Sequence, residues 1–391
     1  MSEIKVFLQE GKEKKVKGYY PWIQREEVDR FEGNGVSGSV ASLYSSQNEF
    51  LAKGYYNEKS RFPFRILTLS EEEIGTQFFE SRFESCYKYR KMLFPNSQCF
   101  RLAFAEADCL PGLIIDLYDG HAVVQVRTLG MENLKSFWMP ALINVVNPKS
   151  IYERSDMEAR TEEGLTPIKQ QLYGETPDEI PFEEHGVHHI SYIKQGMKTG
   201  FYLDQSDNRR KLQQIIKPGQ KVLDAFCYTG GFALNAAKAG AEVTAIDILP
   251  NAIEWARKSA SKNHLDIEFI NANAFDWIVE ANTLNRKFDW IILDPPAIAK
   301  TFAQRNSLKW AIWKLVHSSL DTLNEGGGLL VCNCSYFFNL KEMLDTVRMA
   351  ANDKHRKLVV FDQTFQSPDH PYLLHFPESL YLKCLWLRDT G

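Results

Sequence analysis

The chain has 391 residues, of which 44% are hydrophobic and 25% charged, a composition typical of a globular protein with a substantial core. Its formal net charge of −4 argues against a protein that coats nucleic acid indiscriminately, but it is compatible with a local basic face. The length predicts two or three domains.

The N-terminus and the cysteines predict the compartment. The chain opens Met1-Ser-Glu-Ile-Lys5 without an apolar h-region, so no signal peptide is expected. No apolar run approaches the roughly 18 residues that cross a bilayer. The seven cysteines are scattered, which disfavours a disulfide framework. We therefore expect a cytoplasmic protein without a membrane partner.

Residues 1–70 alternate short apolar runs with turns that contain Gly, Asn and Ser, which predicts a small β-barrel domain. The expected strands are Ile4–Leu8, Gly38–Tyr44, Phe50–Tyr56 and Phe64–Leu67. Basic and aromatic residues are interleaved here, which fits an RNA surface that meets phosphates and unstacked bases. The alternative is a solvated basic face over a core of packed aromatics. The candidate RNA-binding residues are Lys14, Lys15, Lys17, Trp22, Lys53, Tyr55 and Arg61.

A helix is predicted from Glu71 to Leu93, because acids lie in its first turns and basic residues towards its end. A second helix is predicted from Met131 to about Val145. The expected strands around it are Arg101–Phe104, Leu113–Leu117, Ala122–Arg127 and Ser150–Arg154. These elements predict a central α+β domain, and the polar, acidic residues 173–187 are expected to link it to the last domain.

From about residue 188 strands and helices alternate, which predicts right-handed crossovers and a parallel sheet. The expected strands are 221–224, 242–247, 267–270, 289–293 and 328–332. The expected helices are 231–239, 250–263, 274–281 and 305–324. The runs 358–361 and 381–387 are expected to close the sheet as a final strand pair.

Asp224–Gly231 forms a tight turn between the first of these strands and its helix, and Asp247 ends the next strand. In such folds ligands lie over the carboxyl ends of the strands, and a later acid holds ribose hydroxyls. The glycine pattern is not G-x-G-x-x-G, which argues against a nicotinamide oxidoreductase. A carboxylate at the start of the turn suits a cationic ligand, and S-adenosylmethionine is the candidate.

Two more stretches complete this predicted edge. Asn273 follows the third strand, where it can meet an adenine amino group, and Asp294 ends the fourth strand before Pro295-Pro296. Four such stretches in this order predict the core of a class I methyltransferase. The alternative is that all four merely form turns.

Cys334 lies just after the fifth predicted strand, whereas Cys332 lies inside it. A cysteine near a methyl donor can act as a nucleophile if its thiolate is stabilised. The alternative is a small buried apolar residue, the usual role of a free cysteine. Position at the edge favours Cys334 as the nucleophile. No second Cys or His pair at zinc spacing accompanies the two cysteines, so no metal is expected.

A positioned cysteine distinguishes methylation of carbon from methylation of nitrogen. C5 of a pyrimidine becomes nucleophilic enough to take a methyl group only after a thiolate adds to C6. Asp294 is placed to hydrogen-bond or protonate the N3 edge of cytosine as the adduct forms. Methylation of a ring or exocyclic nitrogen needs no such adduct.

Longer motifs occur in order along nearly the whole chain. They are Gly18–Trp22, Leu51–Asn57, Glu106–Asp116, Lys198–Gln205, Asp224–Phe232, Leu293–Pro296, Cys334-Ser335 and Phe376–Lys383. In these motifs the chain resembles the PUA-domain class I RNA methyltransferases, the family that includes the 23S rRNA cytosine-C5 methyltransferase. The resemblance implies a PUA domain at 1–70, a central α+β domain at 71–187 and a Rossmann-like methyltransferase domain with a mostly parallel seven-stranded sheet at 188–391.

The resemblance also implies the residues of the cofactor pocket. The candidates are Asp224, Phe226, Cys227, Tyr228, Thr229, Gly230, Asp247, Ile248, Asn273, Ala274 and Asp294, with Lys198, Tyr202 and Gln205 closing the pocket. Asn273 replaces the usual Asp of the family, and its amide can still accept a hydrogen bond. Ala297 stands where RNA cytosine-C5 enzymes with two cysteines carry one of them, which leaves Cys334 as the single candidate nucleophile.

The hypothesis is a methyltransferase that uses S-adenosylmethionine to form 5-methylcytidine in ribosomal RNA, with 23S RNA favoured, through a covalent adduct of Cys334. Two alternatives stay open at this point. One is an RNA N-methyltransferase of the same fold in which Cys334 is structural, and the other is a non-catalytic RNA-binding protein. The resemblance further suggests a homodimer.

Overall fold

The computed structural model describes residues 4–297 and 302–391, and its internal contacts divide the chain into two compact units. The first comprises the chain up to Phe182 together with Ser191–Phe201 and Pro368–Ser379. The second comprises Glu183–Ile190, Tyr202–Ser367 and Leu380–Gly391. The three domains with boundaries after residues 70 and 187 stay a prediction.

The first unit begins with a mixed six-stranded sheet in the order β2-β6-β5-β4-β1-β3. Its strands are β1 (Ile4–Leu8), β2 (Trp22–Ile23), β3 (Val28–Glu32), β4 (Val40–Tyr44), β5 (Phe50–Tyr56) and β6 (Phe64–Thr68), and helix α1 (Glu13–Lys17) follows β1. Strand β1 pairs parallel with β4, and the other neighbours are antiparallel. All four runs expected to be strands lie in this sheet.

A five-stranded sheet in the order β11-β10-β9-β8-β7 also belongs to this unit. Its strands are β7 (Cys99–Phe104), β8 (Leu113–Tyr118), β9 (His121–Val126), β10 (Ser150–Ser155) and β11 (Ile168–Gly174), with helices α2 (Thr76–Leu93), α3 (Leu129–Asn133) and α4 (Lys135–Val146). Phe83 of α2 and Trp138 of α4 are fully buried in one core with these strands. The single helix expected over 131–145 is in fact two, because the chain turns at Leu134.

The polar stretch 173–187, expected to be a link, contains regular structure instead. It includes the end of β11, strand β12 (Ile180–Glu184) and the start of strand β13 (Val187–Ser191), and the last two form a two-stranded sheet. Ile180 and Val187 are buried, although their neighbours are polar. The sequence analysis missed these strands because charged residues outnumber the alternating apolar ones in this stretch.

The second unit is built on a seven-stranded sheet in the order β16-β15-β14-β17-β18-β20-β19. Its strands are β14 (Lys221–Ala225), β15 (Glu242–Asp247), β16 (Ile267–Asn271), β17 (Phe288–Leu293), β18 (Leu323–Asn333), β19 (Leu358–Phe365) and β20 (Lys383–Asp389). The first five strands in this order are parallel, and β20 is antiparallel to both its neighbours. The mostly parallel seven-stranded sheet of the prediction is confirmed.

Among the described residues six α-helices accompany this sheet, and two of them, α5 and α10, were not expected from the sequence. The helices are α5 (Ser206–Ile215), α6 (Gly231–Lys238), α7 (Pro250–Lys262), α8 (Ala274–Thr283), α9 (Arg305–Thr322) and α10 (Leu340–Asp353). No helix among the described residues combines the length and the apolar character needed to cross a membrane.

Side chains of the sheet alternate between two cores. In β14, Leu223 packs with residues of α8, α9 and α10, whereas Val222 packs with residues of α5, α6 and α7. In β18, Val331 and Cys332 divide between the same two cores. Because helices cover both faces of the sheet, its central strands consist of continuous apolar residues. These runs are the reason that the sequence predicted the strands correctly.

We expect Gly54→Ala to destabilise the first unit, because a Cβ atom at Gly54 would lie 2.0 Å from the backbone oxygen of Arg65 on the neighbouring strand. The free energy of unfolding should fall by about 1–3 kcal/mol, the usual range for overpacking. Urea denaturation measures this value. Gly75→Ala is the matched control, since the nearest atom to its Cβ is a Glu73 side-chain oxygen at 3.9 Å. Equal stability of the two variants would contradict the prediction.

Candidate active site

The parallel strands of the second unit end at one edge of the sheet. Register pairs Ala225 of β14 with Leu293 of β17, and Leu293 with Val331 of β18. Asp294 follows the last residue of β17, and Cys334 follows the last residue of β18. The two residues predicted to carry the chemistry therefore lie beyond neighbouring strand ends.

Strand alternation places the polar residues of this edge on one face. Side chains two positions apart in a strand point to the same side of the sheet. The core formed with α5, α6 and α7 contains the residues two positions before Asp224, Asp294, Cys334 and Asp247. These core residues are Val222, Ile292, Cys332 and Ala245. The three carboxylates and the thiol are thus gathered on the α5–α7 face of the sheet, at its carboxyl edge.

The turn after β14 has an uncommon backbone conformation. Phe226, Tyr228 and Gly230 have φ angles of 69°, 47° and 82°, all in the left-handed region. Two of these residues carry side chains, so the conformation costs free energy and must be held by its surroundings. The backbone N–H of Tyr228 donates to Oδ2 of Asp247 over 2.8 Å, which ties the turn to the next strand.

Asp224 is 1% exposed, and its Oδ2 accepts a hydrogen bond of 2.8 Å from the N–H of Ala233 in α6. Its buried Oδ1 has no hydrogen-bond partner among the described residues. Burial raises the pKa of Asp224 well above its ordinary value, and the charges of Asp294 and Asp247 raise it further, although the Ala233 hydrogen bond opposes them. Oγ1 of Thr229, in the same turn, is also buried without a partner there.

This arrangement fits the predicted cofactor. A buried carboxylate without a cation is unfavourable, and a positively charged group beside Oδ1 of Asp224 removes that cost. S-adenosylmethionine carries such a charge at its ammonium and at its sulfonium. Oδ1 of Asp224, which has no partner among the described residues, is therefore the feature of the site that is complementary to a cationic group of S-adenosylmethionine.

Around Asp247 and Asn273 the side chains are already engaged in local hydrogen bonds. Oδ1 of Asp247 accepts from the N–H of Leu249 over 2.9 Å, and burial raises the pKa of Asp247. Asn273 caps helix α8, and its Oδ1 accepts from the N–H of Phe275 over 2.9 Å. The rings of Phe275 and Phe226 meet edge to face at 5.7 Å and form an aromatic wall. Of the remaining candidates here, Cys227, Gly230 and Ala274 are buried, and Ile248 is exposed.

Tyr202 and Gln205 join the same site. Nε2 of Gln205 donates to Oδ2 of Asp294 over 3.1 Å, and the ring of Tyr202 packs edge-on against Tyr228 at 5.3 Å. Burial raises the pKa of Tyr202, and the nearby charges, which include Asp294 and Cys334, act in the same direction. Lys198 belongs to the first unit, and its role in closing the cofactor pocket stays a prediction.

The region holds four cysteines, of which Cys384 on β20 is buried, and the other three differ in exposure. Cys227 and Cys332 are buried, and burial raises the pKa of each well above the ordinary value. Cys334 is partly exposed. Of these three thiols, Cys334 is the one that a substrate can reach. Within residues 4–297 and 302–391, no group of three or more His, Cys, Asp or Glu side chains is arranged to hold a metal ion.

Sequence reasoning missed Lys383 as a site residue. This lysine is 5% exposed, and its Nζ donates to the backbone oxygen of Ser335, the residue after Cys334, over 2.6 Å. Burial lowers the pKa of Lys383 to about 8, while the charges of Cys334 and Cys384 raise it. A lysine within the otherwise apolar run 380–387 is the sequence signal that could have identified it.

The predicted RNA-binding residues of the first unit divide into exposed and engaged side chains. Lys14, Lys17 and Arg61 are exposed, and Nζ of Lys17 lies 3.8 Å from a carboxylate oxygen of Glu49. Nζ of Lys15 lies 2.8 Å from a carboxylate oxygen of Glu27, and Lys53 is half-buried. The exposed members can meet a phosphate backbone, and their contact with RNA stays a prediction.

The prediction that Tyr55 contacts RNA is wrong, because this residue belongs to the core. Tyr55 is 1% exposed, and its hydroxyl bonds to the Pro111 carbonyl and to Oγ1 of Thr128, both at 2.9 Å. Trp22 is half-buried, and its Nε1 donates to Glu106 over 2.9 Å. For Tyr55 the alternative of packed aromatics was therefore the correct one.

Comparison with known proteins agrees with this architecture. A PUA-like domain model matches residues 6–69, and a methyltransferase domain model matches residues 216–374. The ribosomal RNA large subunit methyltransferase I of Aeromonas salmonicida is 36% identical to this chain over an alignment of 391 positions. The alignment covers 98% of this chain and 98% of the relative.

Two solved structures share the fold over nearly the whole chain. A candidate SAM-dependent methyltransferase from Streptococcus mutans has a TM-score of 0.82 at 20% identity and covers 98% of this chain and 99% of its own. A candidate methyltransferase complexed with SAH has a TM-score of 0.84 at 21% identity and covers 99% and 100%. The predicted fold class, a Rossmann-like methyltransferase domain preceded by a PUA-like domain, is confirmed.

We expect Asp224→Asn to stabilise the protein in the absence of ligand. The raised pKa of Asp224 means that its ionisation destabilises the fold, and this effect grows as pH rises through the folded-state pKa. At neutral pH the neutral amide should increase the free energy of unfolding by roughly 1 kcal/mol or more. Denaturant titrations at several pH values measure the difference.

Asp247→Asn is the control for this prediction. Both oxygens of Asp247 accept backbone hydrogen bonds, from Tyr228 and Leu249, so an amide nitrogen there would face a donor. This variant should be destabilised. A loss of stability in Asp224→Asn at neutral pH would show that the free carboxylate is not the unfavourable group inferred here.

Proposed function

Because the chain belongs to the family of the ribosomal RNA large subunit methyltransferases I, we propose that this S-adenosylmethionine-dependent methyltransferase modifies large-subunit ribosomal RNA and forms 5-methylcytidine in 23S RNA. The observation that carries the finer part of the proposal is the placement of Cys334 and Asp294. They follow adjacent parallel strands, on the same face as Asp224, whose Oδ1 has no hydrogen-bond partner among the described residues. Methylation at C5 of cytosine by this route needs both a thiolate and an acid.

The proposed reaction starts at Cys334. Its thiolate forms a bond to C6 of the cytosine, and the electron pair displaced from the C5–C6 double bond moves towards N3. Asp294 donates a proton to N3, so that C5 gains enamine character. Gln205 orients Asp294 through a hydrogen bond of 3.1 Å to its Oδ2.

When bound, S-adenosylmethionine supplies the electrophilic methyl group that C5 takes. The residues that would hold it are Asp224 at a cationic group, Asp247 at the ribose and Asn273 at the adenine. After transfer a base removes the proton from C5, the C6–S bond breaks with its electron pair returning to sulfur, and the N3 proton returns to Asp294. Cys334 and Asp294 then have their starting protonation states.

The N-terminal unit is proposed to bind the RNA. The PUA-like match covers residues 6–69, which contain the exposed side chains of Lys14, Lys17 and Arg61. The boundaries after residues 70 and 187 are part of this proposal, with the first segment gripping RNA and the last carrying the chemistry.

We expect Cys334→Ala to lower the rate of methyl transfer by at least about a thousandfold, because the covalent adduct cannot form without the nucleophile. The assay incubates protein, deproteinised ribosomal RNA and labelled S-adenosylmethionine, and identifies the labelled nucleoside. Wild-type protein should place the label in 5-methylcytidine. Cys109→Ala, a change of an exposed thiol in the first unit, should keep full activity.

Other outcomes identify the alternatives. Label in a nitrogen-methylated base, retained in Cys334→Ala, would establish an N-methyltransferase in which Cys334 is structural. No label with either deproteinised RNA or ribosomal subunits, together with no cofactor binding by calorimetry, would support a non-catalytic RNA-binding protein.

We expect the triple change of Lys14, Lys17 and Arg61 to Gln to weaken RNA binding and to reduce the slope of log K against log salt by about two to three, since each phosphate contact contributes roughly 0.7–0.9. Affinities measured over a range of salt concentrations give this slope. The matched control changes three exposed lysines of the second unit, at the edge opposite the candidate site, to Gln. These residues are Lys217, Lys238 and Lys262. An unaltered slope in the first triple variant would place the RNA contact elsewhere.

A further inference from the structure

Two turns of the first unit meet in a cluster of aromatic rings. Tyr20 and Trp22 follow helix α1, and Phe376 lies in the segment Pro368–Ser379, which belongs to the same unit. The buried ring of Phe376 packs edge-on against Tyr20 at 5.4 Å and against Trp22 at 4.5 Å. The hydroxyl of Tyr20 also donates to Oε1 of Glu378 over 3.0 Å. These contacts hold the two turns against each other.

The residues at the tips of the two turns form an exposed surface over this cluster. Tyr19 is 59% exposed, and its ring lies 5.3 Å from the ring of His375, which is also exposed. Leu374, next to His375, is 77% exposed. Large side chains that are grouped at a surface in this way mark an interaction site, whereas single exposed ones need no explanation.

Tyr19 has a backbone conformation that costs free energy. Its φ angle is 63°, in the left-handed region that a bulky residue rarely adopts. The turn is held by hydrogen bonds from the N–H of Tyr19 to the Val16 oxygen over 2.8 Å and from the N–H of Tyr20 to the Lys15 oxygen over 3.1 Å. Glycine would fit this position without strain. A strained residue whose ring is mostly in solvent points to a role in binding.

The turn that carries His375 is fixed by hydrogen bonds of its own. The N–H of Phe376 donates to the backbone oxygen of Leu373 over 2.8 Å. Oγ of Ser379 accepts from the N–H of Leu373 over 2.9 Å and donates to the backbone oxygen of Phe376 over 2.6 Å. Both rings of the exposed pair are therefore held in place by their backbones, which lowers the entropy that a ligand would have to overcome on binding.

Positive charge adjoins this surface. Helix α1 leads directly into the turn of Tyr19, and three lysines on or next to this helix are exposed. They are Lys12, Lys14 and Lys17. Exposed rings beside ammonium groups are complementary to single-stranded RNA, because its bases stack on the rings while its phosphates meet the cations.

We propose that Tyr19 and His375 form a platform on which an unpaired base of ribosomal RNA stacks, while the lysines of helix α1 contact the neighbouring phosphates. The inference rests on the proposed function, in which the N-terminal unit binds the RNA. It adds to that surface a segment from the C-terminal part of the chain. Stacking on this platform selects nucleotides that are not base-paired, which the phosphate contacts alone cannot do.

We expect Tyr19→Ala to weaken the binding of deproteinised large-subunit ribosomal RNA about tenfold, because one base no longer stacks. The affinity should fall by the same factor at each salt concentration, with the slope of log K against log salt unchanged, since no phosphate contact is lost. Tyr19→Phe keeps the ring and should bind like the wild type. The matched control is Tyr173→Ala, at an exposed tyrosine of β11 in the same unit, and it should leave the affinity unchanged.

Two further variants test the platform. His375→Ala should also weaken binding, and combining it with Tyr19→Ala should cost less than the product of the two single losses, because both rings contact one base. Tyr19→Gly removes the ring and fits the observed φ angle, so it should stay folded and bind as weakly as Tyr19→Ala.

Two results would overturn the inference. One is wild-type affinity for RNA in Tyr19→Gly. The other is a loss of binding seen with ribosomal subunits but not with deproteinised RNA, which would identify a protein as the partner of this surface. Failure of the proposed function is a separate outcome, because it appears in the nucleoside that carries the methyl label and not in the affinity for RNA.

Discussion

Three carboxylates at the ends of three adjacent parallel strands set the character of this site. Strand β14 lies between β15 and β17, so Asp224, Asp247 and Asp294 meet at one edge of the sheet. Burial and the two neighbouring charges raise the pKa of Asp224, whose second oxygen has no partner among the described residues. In the proposed function a cationic group of the cofactor lies beside this oxygen, so that the stability of the free protein and cofactor binding would oppose each other at Asp224.

A partly buried chain of hydrogen bonds extends from Asp294 into the C-terminal strand pair. Gln205 donates to Asp294 and accepts from Asn208 over 2.6 Å. Asn208 in turn accepts from Thr364 over 2.5 Å, and Thr364 accepts from Trp386 over 2.8 Å. The strands β19 and β20 thus support the acid of the site as well as closing the sheet.

Basic and aromatic residues are interleaved in the sequence of the first unit, but the sequence does not show which of their side chains are exposed to solvent. Tyr55 and Lys53 are near neighbours on one strand, yet Tyr55 is in the core and Lys53 is half-buried. Lys14 and Lys17 are exposed on a short helix, while Lys15 between them pairs with Glu27. Which aromatic rings face solvent depends on strand pairing and on the turn of a five-residue helix, and neither follows from the proximity of residues in the chain.

The sequence alone determined the alternation of strands and helices in the methyltransferase unit, the turns after its strands and the candidate nucleophile, because each depends on local periodicity or on residues close together in the chain. For nearly every strand of the seven-stranded sheet, the predicted bounds lie within a few residues of the observed ones. Only the tertiary structure decided that Tyr55 is a core residue and that the amine of Lys383 donates to the backbone oxygen of Ser335, the residue after Cys334. The second fact depends on an antiparallel pairing between β18 and β20, two strands separated by a helix and a further strand. Lys383 is buried as a result of this pairing. The burial of one lysine cannot be deduced from a single sequence.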